Sequence, residues 1–533
     1  MSFRHSSRIP CLRRPTPGAI RHPSFNPRAR PLSSHQSPTP WRKDEPTQQY
    51  SGVENALAEH AFAAFSYFGR FIKFSFFGII GLGVVGWTAF EGAHMWVEMV
   101  ELTPESNDEC KRWQWDLDAE RWTGGDRGGT DPALGFKGRH AVRSAWMAQN
   151  WGVGDASSNV ITSKAFSGKG GGGGLNAVEA RLEFAQDFLN IAFDIALSKE
   201  PAGHLRPQTA TEILSRHADI MERMGSRDGL YQARSELQRV WARLSAKGLD
   251  AARIALKLGD LNQRLGAPED AQAWWARSIQ LVSGHDAPPA LTPVIPESVP
   301  SSPFAQRTLA SALVSLSAFY ATSGQLRQAQ AAEETALNLL RTIPTPQNFA
   351  SSSPPQALHA LYLLHRSSLI SVHLAEVTYA LRSPAATSMQ WLSRAAESSE
   401  RVARVLTGLP AIHPDAPESK IPHPPSSESA LLSVFSKSPS MKKPAKSLLR
   451  DARRTAAEAW NLMGVLKEDS GKPGSAQDAL ECYERALGWA GVAADRAGGI
   501  GRAGEGVLET EWKVLWSNYV RVRDIVRSPS KDT

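Results

Sequence analysis

The sequence predicts an all-α protein, a solenoid of helix–turn–helix repeats preceded by a disordered presequence and one transmembrane helix. Three observations predict this fold class. Residues 1–43 are basic and contain no acid, and residues 74–90 are apolar and carry no charge. Further along the chain, small and large residues recur with a period of about 34 residues.

The first element, residues 1–45, is predicted to be a disordered mitochondrial presequence. Residues 1–43 contain nine Arg and Lys residues and no Asp or Glu. This Arg- and Ser-rich composition is typical of mitochondrial transit peptides, although a basic tail without a targeting role is the alternative. The whole chain has 60 basic and 53 acidic residues, so the remainder is close to neutral. The chain therefore predicts no nucleic-acid-binding surface.

The second element is a transmembrane helix predicted over residues 71–93. Its uncharged core and the flanking apolar residues approach the ~20 residues that span a bilayer. Arg70 and Lys73 stand at its start and Glu91 follows its end. Because positive residues are retained on the inner side, the N-terminus is predicted in the matrix. The C-terminal domain would then lie in the intermembrane space, outside the mitochondrial inner membrane.

Glycines along this helix predict close packing against a partner helix in the membrane. Each glycine costs about 1 kcal/mol relative to Ala in a water-soluble helix. In lipid, by contrast, small residues let two helices approach closely. The predicted membrane-helix packing residues are Gly78, Gly81 and Gly86.

Residues 104–155 form a Trp-rich juxtamembrane segment. Its five tryptophans are Trp113, Trp115, Trp122, Trp146 and Trp151. This density predicts a compact packing unit or a docking surface, with a position against lipid headgroups as the alternative. The Gly-rich runs at 124–132 and 168–174 lack the residue order of a phosphate-binding loop, so we predict a turn and a linker.

Residues 175–527 are predicted to be the repeat domain. Copies of the repeat fit 252–285 and 310–343, a third begins near Ala457, and a weaker one fits 369–402. Small residues let the helices of a hairpin touch, and larger ones fill the gaps between hairpins. The predicted repeat-packing residues are Leu258, Gly259, Gly266, Ala271, Trp275, Leu316, Tyr320, Gly324, Ala329, Ala336, Trp460, Gly464, Ala479, Tyr483 and Ala486. A Pro- and Ser-rich insert near 410–446 is predicted to be disordered.

The sequence contains no catalytic pattern such as HExxH, GxSxG or CxxC. His359, His365 and His373 are spaced by six and eight residues, which does not bring three ligands to one helix face. We therefore predict a protein that is not an enzyme, with no cofactor, no metal and no small-molecule substrate. Cys110 and Cys482 are expected to be unpaired thiols.

The order of presequence, single span and repeats resembles that of fungal mitochondrial TPR proteins. The repeat spacings at Gly259–Ser278, Leu316–Ala336 and Gly464–Ala486 carry this resemblance. In layout the chain resembles the TPR adaptor subunits of the inner-membrane i-AAA protease supercomplex. That resemblance implies a TPR-like solenoid that binds AAA protease subunits and presents unfolded membrane proteins to them, in mitochondrial protein quality control.

Two other functions fit the same layout. One is an assembly or scaffold factor for a respiratory complex, docked through the Trp-rich segment. The other is a mitochondrial import receptor of the outer membrane, with the same repeats facing the cytosol.

Overall fold

The computed structural model describes residues 51–151, 159–161, 177–244, 247–284, 292–349, 351–409, 430–491 and 512–527. The predicted presequence, residues 1–45, lies outside the described residues. The described chain is almost entirely helical, so the predicted all-α class is confirmed. Contacts divide the chain into two units, residues 1–84 and residues 85–533.

Helix α1 (Ser51–Trp96) is continued by a π-helical turn at Val97–Glu101. Within the described residues, the stretch Phe65–Glu101 is long and apolar enough to cross a membrane, and its apolar window is not buried in the chain. A Cβ atom placed on Gly78, Gly81 or Gly86 meets no atom within 4 Å. The described residues therefore leave this glycine face uncovered.

The helices of the second unit pack in series. They are α2 (Asp108–Arg112), α3 (Trp115–Asp118), α4 (Gly135–Trp151), α5 (Ala180–Lys199), α6 (Thr209–Met224), α7 (Arg227–Arg243), α8 (Leu249–Leu265), α9 (Pro268–Val282), α10 (Pro303–Thr322), α11 (Leu326–Arg341), α12 (Pro354–Ala380), α13 (Ala385–Thr407), α14 (Ser433–Ser436), α15 (Pro439–Asp469), α16 (Ser475–Trp489) and α17 (Trp512–Arg527). From α4 to α17, the longer helices each pack against the next, and α8, α10, α12 and α15 also pack against one another in that order.

A short antiparallel strand pair interrupts the helical pattern. Strands β1 (Asn159–Ile161) and β2 (Ala177–Glu179) are paired with Val160 opposite Val178. The described part of the predicted repeat domain thus begins with a strand, and helix α5 follows directly.

Two hairpins are held together by a glycine that faces an aromatic ring. A Cβ atom on Gly259 of α8 would lie 2.4 Å from Cδ1 and Nε1 of Trp275 on α9. A Cβ atom on Gly464 of α15 would lie 2.6 Å from Cε1 of Tyr483 on α16. Only a residue without a side chain lets the ring approach the helix backbone this closely.

The other predicted packing residues lie in these two hairpins and in the hairpin of α10 and α11. Most of them are buried: Leu258, Ala271, Leu316, Tyr320, Ala329, Ala336, Ala479 and Ala486. Gly266 (φ +78°) and Gly324 (φ +74°) adopt the left-handed conformation in the turns after α8 and α10, which glycine tolerates best. Trp460 is half-buried, and its Nε1 donates to Glu400 Oε1 at 2.6 Å.

The insert predicted near 410–446 is wrong at its C-terminal end. Residues 410–429 lie outside the described residues, but α14 and the first turns of α15 occupy most of residues 433–446. Three apolar residues of this stretch are buried: Phe435, Met441 and Ala445. Its Ser and Pro content indicated a loop, yet Pro439 stands at the first helical position, where proline is tolerated.

The Trp-rich segment is not a separate unit from the repeats. Helix α4 packs against α5, and Trp115 belongs to the same hydrophobic core as α12 and α15. Trp115, Trp122 and Trp146 are buried, so they do not face lipid headgroups, whereas Trp151 is half exposed. Cys110 and Cys482 are buried and unpaired, as predicted.

Candidate functional site

Three helices of the array begin with the dipeptide Ser-Pro. Serine occupies the N-cap and proline the first helical position at Ser302 of α10, Ser353 of α12 and Ser438 of α15. Both residues favour a helix start at these positions. We call the first two turns of α8, α10, α12 and α15 the helix-start face.

One stretch of chain, Glu105–Arg121, lies across this face, and we call it the crossing segment. It contains six Asp and Glu residues against three Lys and Arg residues. Helix N-termini carry a partial positive charge and attract such a segment. Its contacts begin at α15 and end at α8, the reverse of the order of these helices in the chain.

At α15 the crossing segment supplies the helix cap. The Glu105 carboxylate accepts hydrogen bonds from the Ser438 hydroxyl, from Ser440 Oγ at 2.6 Å and from the Ser440 backbone N–H at 3.3 Å. Ser438 itself does not cap the helix through its side chain. Burial acts to raise the pKa of Glu105, but these hydrogen bonds outweigh it and hold the pKa below its ordinary value. Glu105 is therefore ionised at neutral pH.

Polar side chains also meet the starts of α12 and α10. Glu109 Oε2 accepts from the Ser353 hydroxyl at 3.3 Å. Gln114 Oε1 accepts from the Ser302 hydroxyl at 2.5 Å and from the Phe304 backbone N–H at 3.0 Å. Each Ser-Pro start is thus bound by at least one side chain of the crossing segment.

Arg307 of α10 holds the centre of the crossing segment. Its Nε donates to Asp118 Oδ2 at 2.6 Å, and its guanidinium lies 3.9 Å from the centre of the Trp115 ring. The same group donates to the backbone carbonyls of Trp113 at 3.0 Å and Gln114 at 2.8 Å. Arg307 is 2% exposed, so a buried positive charge is satisfied almost entirely by this segment.

Trp115 anchors the crossing segment in the core. It is 1% exposed, and its Nε1 donates to the Pro355 carbonyl at 3.0 Å. It belongs to the same core as residues of α12, α14 and α15, including Leu358, Leu361, Phe435 and Leu448. Full burial of such an aromatic side chain contributes about 3 kcal/mol.

The last part of the crossing segment reaches α8. Arg253 donates to the Leu117 carbonyl at 2.9 Å, and Arg121 forms an ion pair with Asp250 at 3.2 Å. Both partners lie in the first turns of α8, beside its N-terminus.

Glu120 joins two distant helices. Its carboxylate lies 2.7 Å from Lys443 Nζ of α15 and 3.7 Å from a guanidinium nitrogen of Arg216 on α6. Burial acts to raise the pKa of Glu120, but the charges of Arg216 and Lys443 overcome it and lower the pKa. An acidic side chain at this position therefore remains charged between two bases.

Sequence reasoning predicted a docking role for the Trp-rich segment but missed the surface to which it docks. The residues that it missed are Glu105, Gln114, Asp118, Arg253, Arg307, Ser302, Ser353 and Ser438. The three Ser-Pro dipeptides ahead of helical patterns were the available signal. Ser and Pro content alone does not distinguish such a helix start from a loop.

The described residues show no group of three or more His, Cys, Asp or Glu that could hold a metal ion. The three histidines of α12 each bond to a different neighbour: His359 to Gln306, His365 to Thr455 and His373 to Ser317. Burial lowers their pKa values to about 3, 3 and 4. They are neutral at physiological pH and act as packed polar groups.

No protein-family model matches this chain, and no curated protein matches it in sequence. Among solved structures, the crystal structure of BtubC (BKLC) from P. vanneervenii is similar over 56% of this chain and 98% of BtubC. The sequence identity is 15% and the TM-score is 0.28. So low a score assigns neither a family nor a function.

Proposed function

We propose that this chain is a membrane-anchored TPR-type adaptor whose helical hairpins bind other proteins. One observation carries this function: an exposed apolar helix leads directly into a helical array that already holds an acidic segment across four helix starts. The packing of α8, α10, α12 and α15 against one another is also the contact pattern of stacked hairpins. The function involves no enzymatic step, no nucleic acid and no small-molecule substrate.

We further propose that the protein lies in the mitochondrial inner membrane, with its N-terminus in the matrix and the array in the intermembrane space. The acid-free leader and the positions of Arg70 and Lys73 support this orientation. Protease protection of a C-terminally tagged full-length chain tests it. Digestion only after rupture of the outer membrane is the expected result. Digestion in intact mitochondria would contradict it and favour the import receptor.

The partner that we propose is an AAA protease of the inner membrane, to which the array presents unfolded substrates. Support comes from the layout of leader, span and repeats. Affinity capture of the tagged protein from solubilised mitochondria should recover protease subunits, and deletion should slow the turnover of membrane proteins that the protease degrades. An untagged strain is the control for capture. If neither effect is seen, the adaptor role is wrong.

A role in assembly of a respiratory complex is the second candidate, and the uncovered face of Gly78, Gly81 and Gly86 favours it. Such a face fits a neighbouring membrane helix of a larger complex. Co-migration with a respiratory complex in native gels, without protease subunits, would select this function. Replacing Gly81 by Ile should then abolish the co-migration, whereas Ile80→Leu, on the opposite side of the helix, should not.

A further inference from the structure

We propose that the helix-start face is a receptor for acidic, tryptophan-bearing segments, and that the crossing segment occupies it as an intramolecular ligand. A partner protein would bind through a segment of the same chemistry after displacing the crossing segment. This deepens the proposed adaptor function and rests on it.

Charge complementarity defines what the face accepts. The face offers four helix N-termini together with Arg253, Arg307 and Lys443, all of which contact the crossing segment. The crossing segment has an excess of three negative charges. A basic or neutral peptide would leave the buried guanidinium of Arg307 without a counter-charge, which is strongly unfavourable.

The mode of contact is that of a receptor and an extended peptide. Arg307 and Arg253 bind backbone carbonyls of Trp113, Gln114 and Leu117, which a segment of any sequence could provide. Specificity comes from side chains, namely the buried Trp115 indole and the half-buried Asp118 carboxylate, which binds Arg307. A partner segment therefore needs a tryptophan with an acid three residues after it.

The crossing segment could leave the face without unfolding a long helix. Its helices α2 and α3 have only 5 and 4 residues, and helices this short are not stable alone. Gly124, Gly125, Gly128 and Gly129 follow it, and three of them adopt positive φ. A tethered ligand of this kind acts at an effective concentration in the millimolar range, so a free peptide binds the wild-type chain weakly.

The test is binding of a fluorescent peptide with the sequence of residues 104–123 to the full-length chain in detergent micelles, followed by anisotropy. The variant Trp115→Ala/Asp118→Ala weakens the internal ligand and leaves the face intact. The matched control Trp151→Ala/Asp126→Ala changes an exposed tryptophan and an exposed aspartate instead. We expect the first variant to bind the peptide at least tenfold more tightly than the wild type or the control. Adding Arg307→Met should reverse that gain.

Equal binding by the two double variants would overturn the proposal. If Trp115→Ala/Asp118→Ala does not fold, Glu105→Gln/Gln114→Ala removes polar contacts without opening the core and is expected to show the same gain. In the wild-type chain, excess isotope-labelled peptide should speed hydrogen exchange of the amides at 106–121. Unchanged exchange at saturating peptide would also refute the displacement.

The two proposals fail separately. Peptide binding with no protease in the captured material would disprove the adaptor role and leave the receptor intact. Capture of the protease without peptide binding would support the adaptor role and disprove the receptor proposal. It would indicate that the partner binds elsewhere on the array.

Discussion

Replacing Gly259 by Ala perturbs a close contact between two helices of the array. The new Cβ atom would lie 2.4 Å from Cδ1 and Nε1 of Trp275. Non-bonded carbon atoms rest about 3.5–4.0 Å apart, so the indole would have to move by about 1 Å or more. The ring is 1% exposed, packs edge-on against Phe319 at 5.6 Å and donates to Asp260 Oδ1 at 3.0 Å. Any movement therefore disturbs several contacts at once.

The expected magnitude combines three effects. Overpacking a core by one methyl group costs about 1–3 kcal/mol, and weakening the hydrogen bond to Asp260 costs about 1 kcal/mol. Alanine has a better helix propensity than glycine by about 1 kcal/mol, which acts in the opposite direction. We expect a net destabilisation of about 1–3 kcal/mol.

A double-mutant cycle with Trp275→Leu isolates the contact. Without the indole there is room for the Cβ atom, so Gly259→Ala should be neutral or stabilising by up to about 1 kcal/mol in that background. The assay is hydrogen exchange of α8 and α9 amides in the full-length chain, because it reports local opening free energies. Gly248→Ala is the control, since a Cβ atom there meets nothing within 4 Å.

Two results would refute this account of the hairpin. One is unchanged or greater protection of α8 and α9 in Gly259→Ala. The other is an equal loss of protection with and without the Trp275 indole, which would mean that the glycine is needed for a reason other than the ring.

Further predictions concern buried polar groups. Arg307→Met removes the counter-charge of Asp118 and should destabilise the crossing segment by about 3 kcal/mol, measured as hydrogen exchange at 113–118, whereas exposed Trp151→Ala should change it by less than about 0.5 kcal/mol. Burial raises the pKa of Glu333 from 4.5 to about 8. The folded state thus binds the proton more tightly, and stability falls by up to about 1.4 kcal/mol per unit as pH rises between these values. Glu333→Gln should remove this slope in denaturant titrations. Burial lowers the pKa of His365 from 6.5 to about 3, so stability falls as pH drops below 6.5, and His365→Gln should reduce that loss.

Sequence patterns located most of the helices because a helix depends mainly on residues that are close together in the chain. The apolar stretch of α1 and the helical periodicity of α8 to α11 arise from residues a few positions apart, which a single sequence shows directly. The predicted positions of the repeats matched the helices less completely. Helices α12 and α15 have 27 and 31 residues, and a repeat of about 34 residues describes only their C-terminal parts. Their N-terminal extensions form the core that receives Trp115.

The site was not predictable in the same way because its contacts are far apart in sequence. Glu105 and Ser440 are separated by 335 residues, and Gln114 and Ser302 by 188. Composition marks such residues as polar but does not say which of them pair. The Ser-Pro dipeptides did not identify the helix starts for a different reason. The same dipeptide occurs in loops and at helix N-termini, and only the helix that follows distinguishes them.

The position of the crossing segment links partner binding to α1, the helix that we propose spans the membrane. Glu105, which caps α15, follows the π-helical turn Val97–Glu101 by four residues, so its Cα atom lies within about 14 Å of the Cα atom of Glu101. A second attachment exists at α4, where Arg139 lies 2.9 Å from Glu98. A partner that displaces the crossing segment would therefore break the direct link between α15 and this turn, while the link through α4 would remain. Because α15 also packs against α12 and α13, the last hairpins would stay in the array. Arg139 lies outside the helix-start face, so adding Arg139→Gln to Trp115→Ala/Asp118→Ala should leave the peptide affinity measured by anisotropy unchanged.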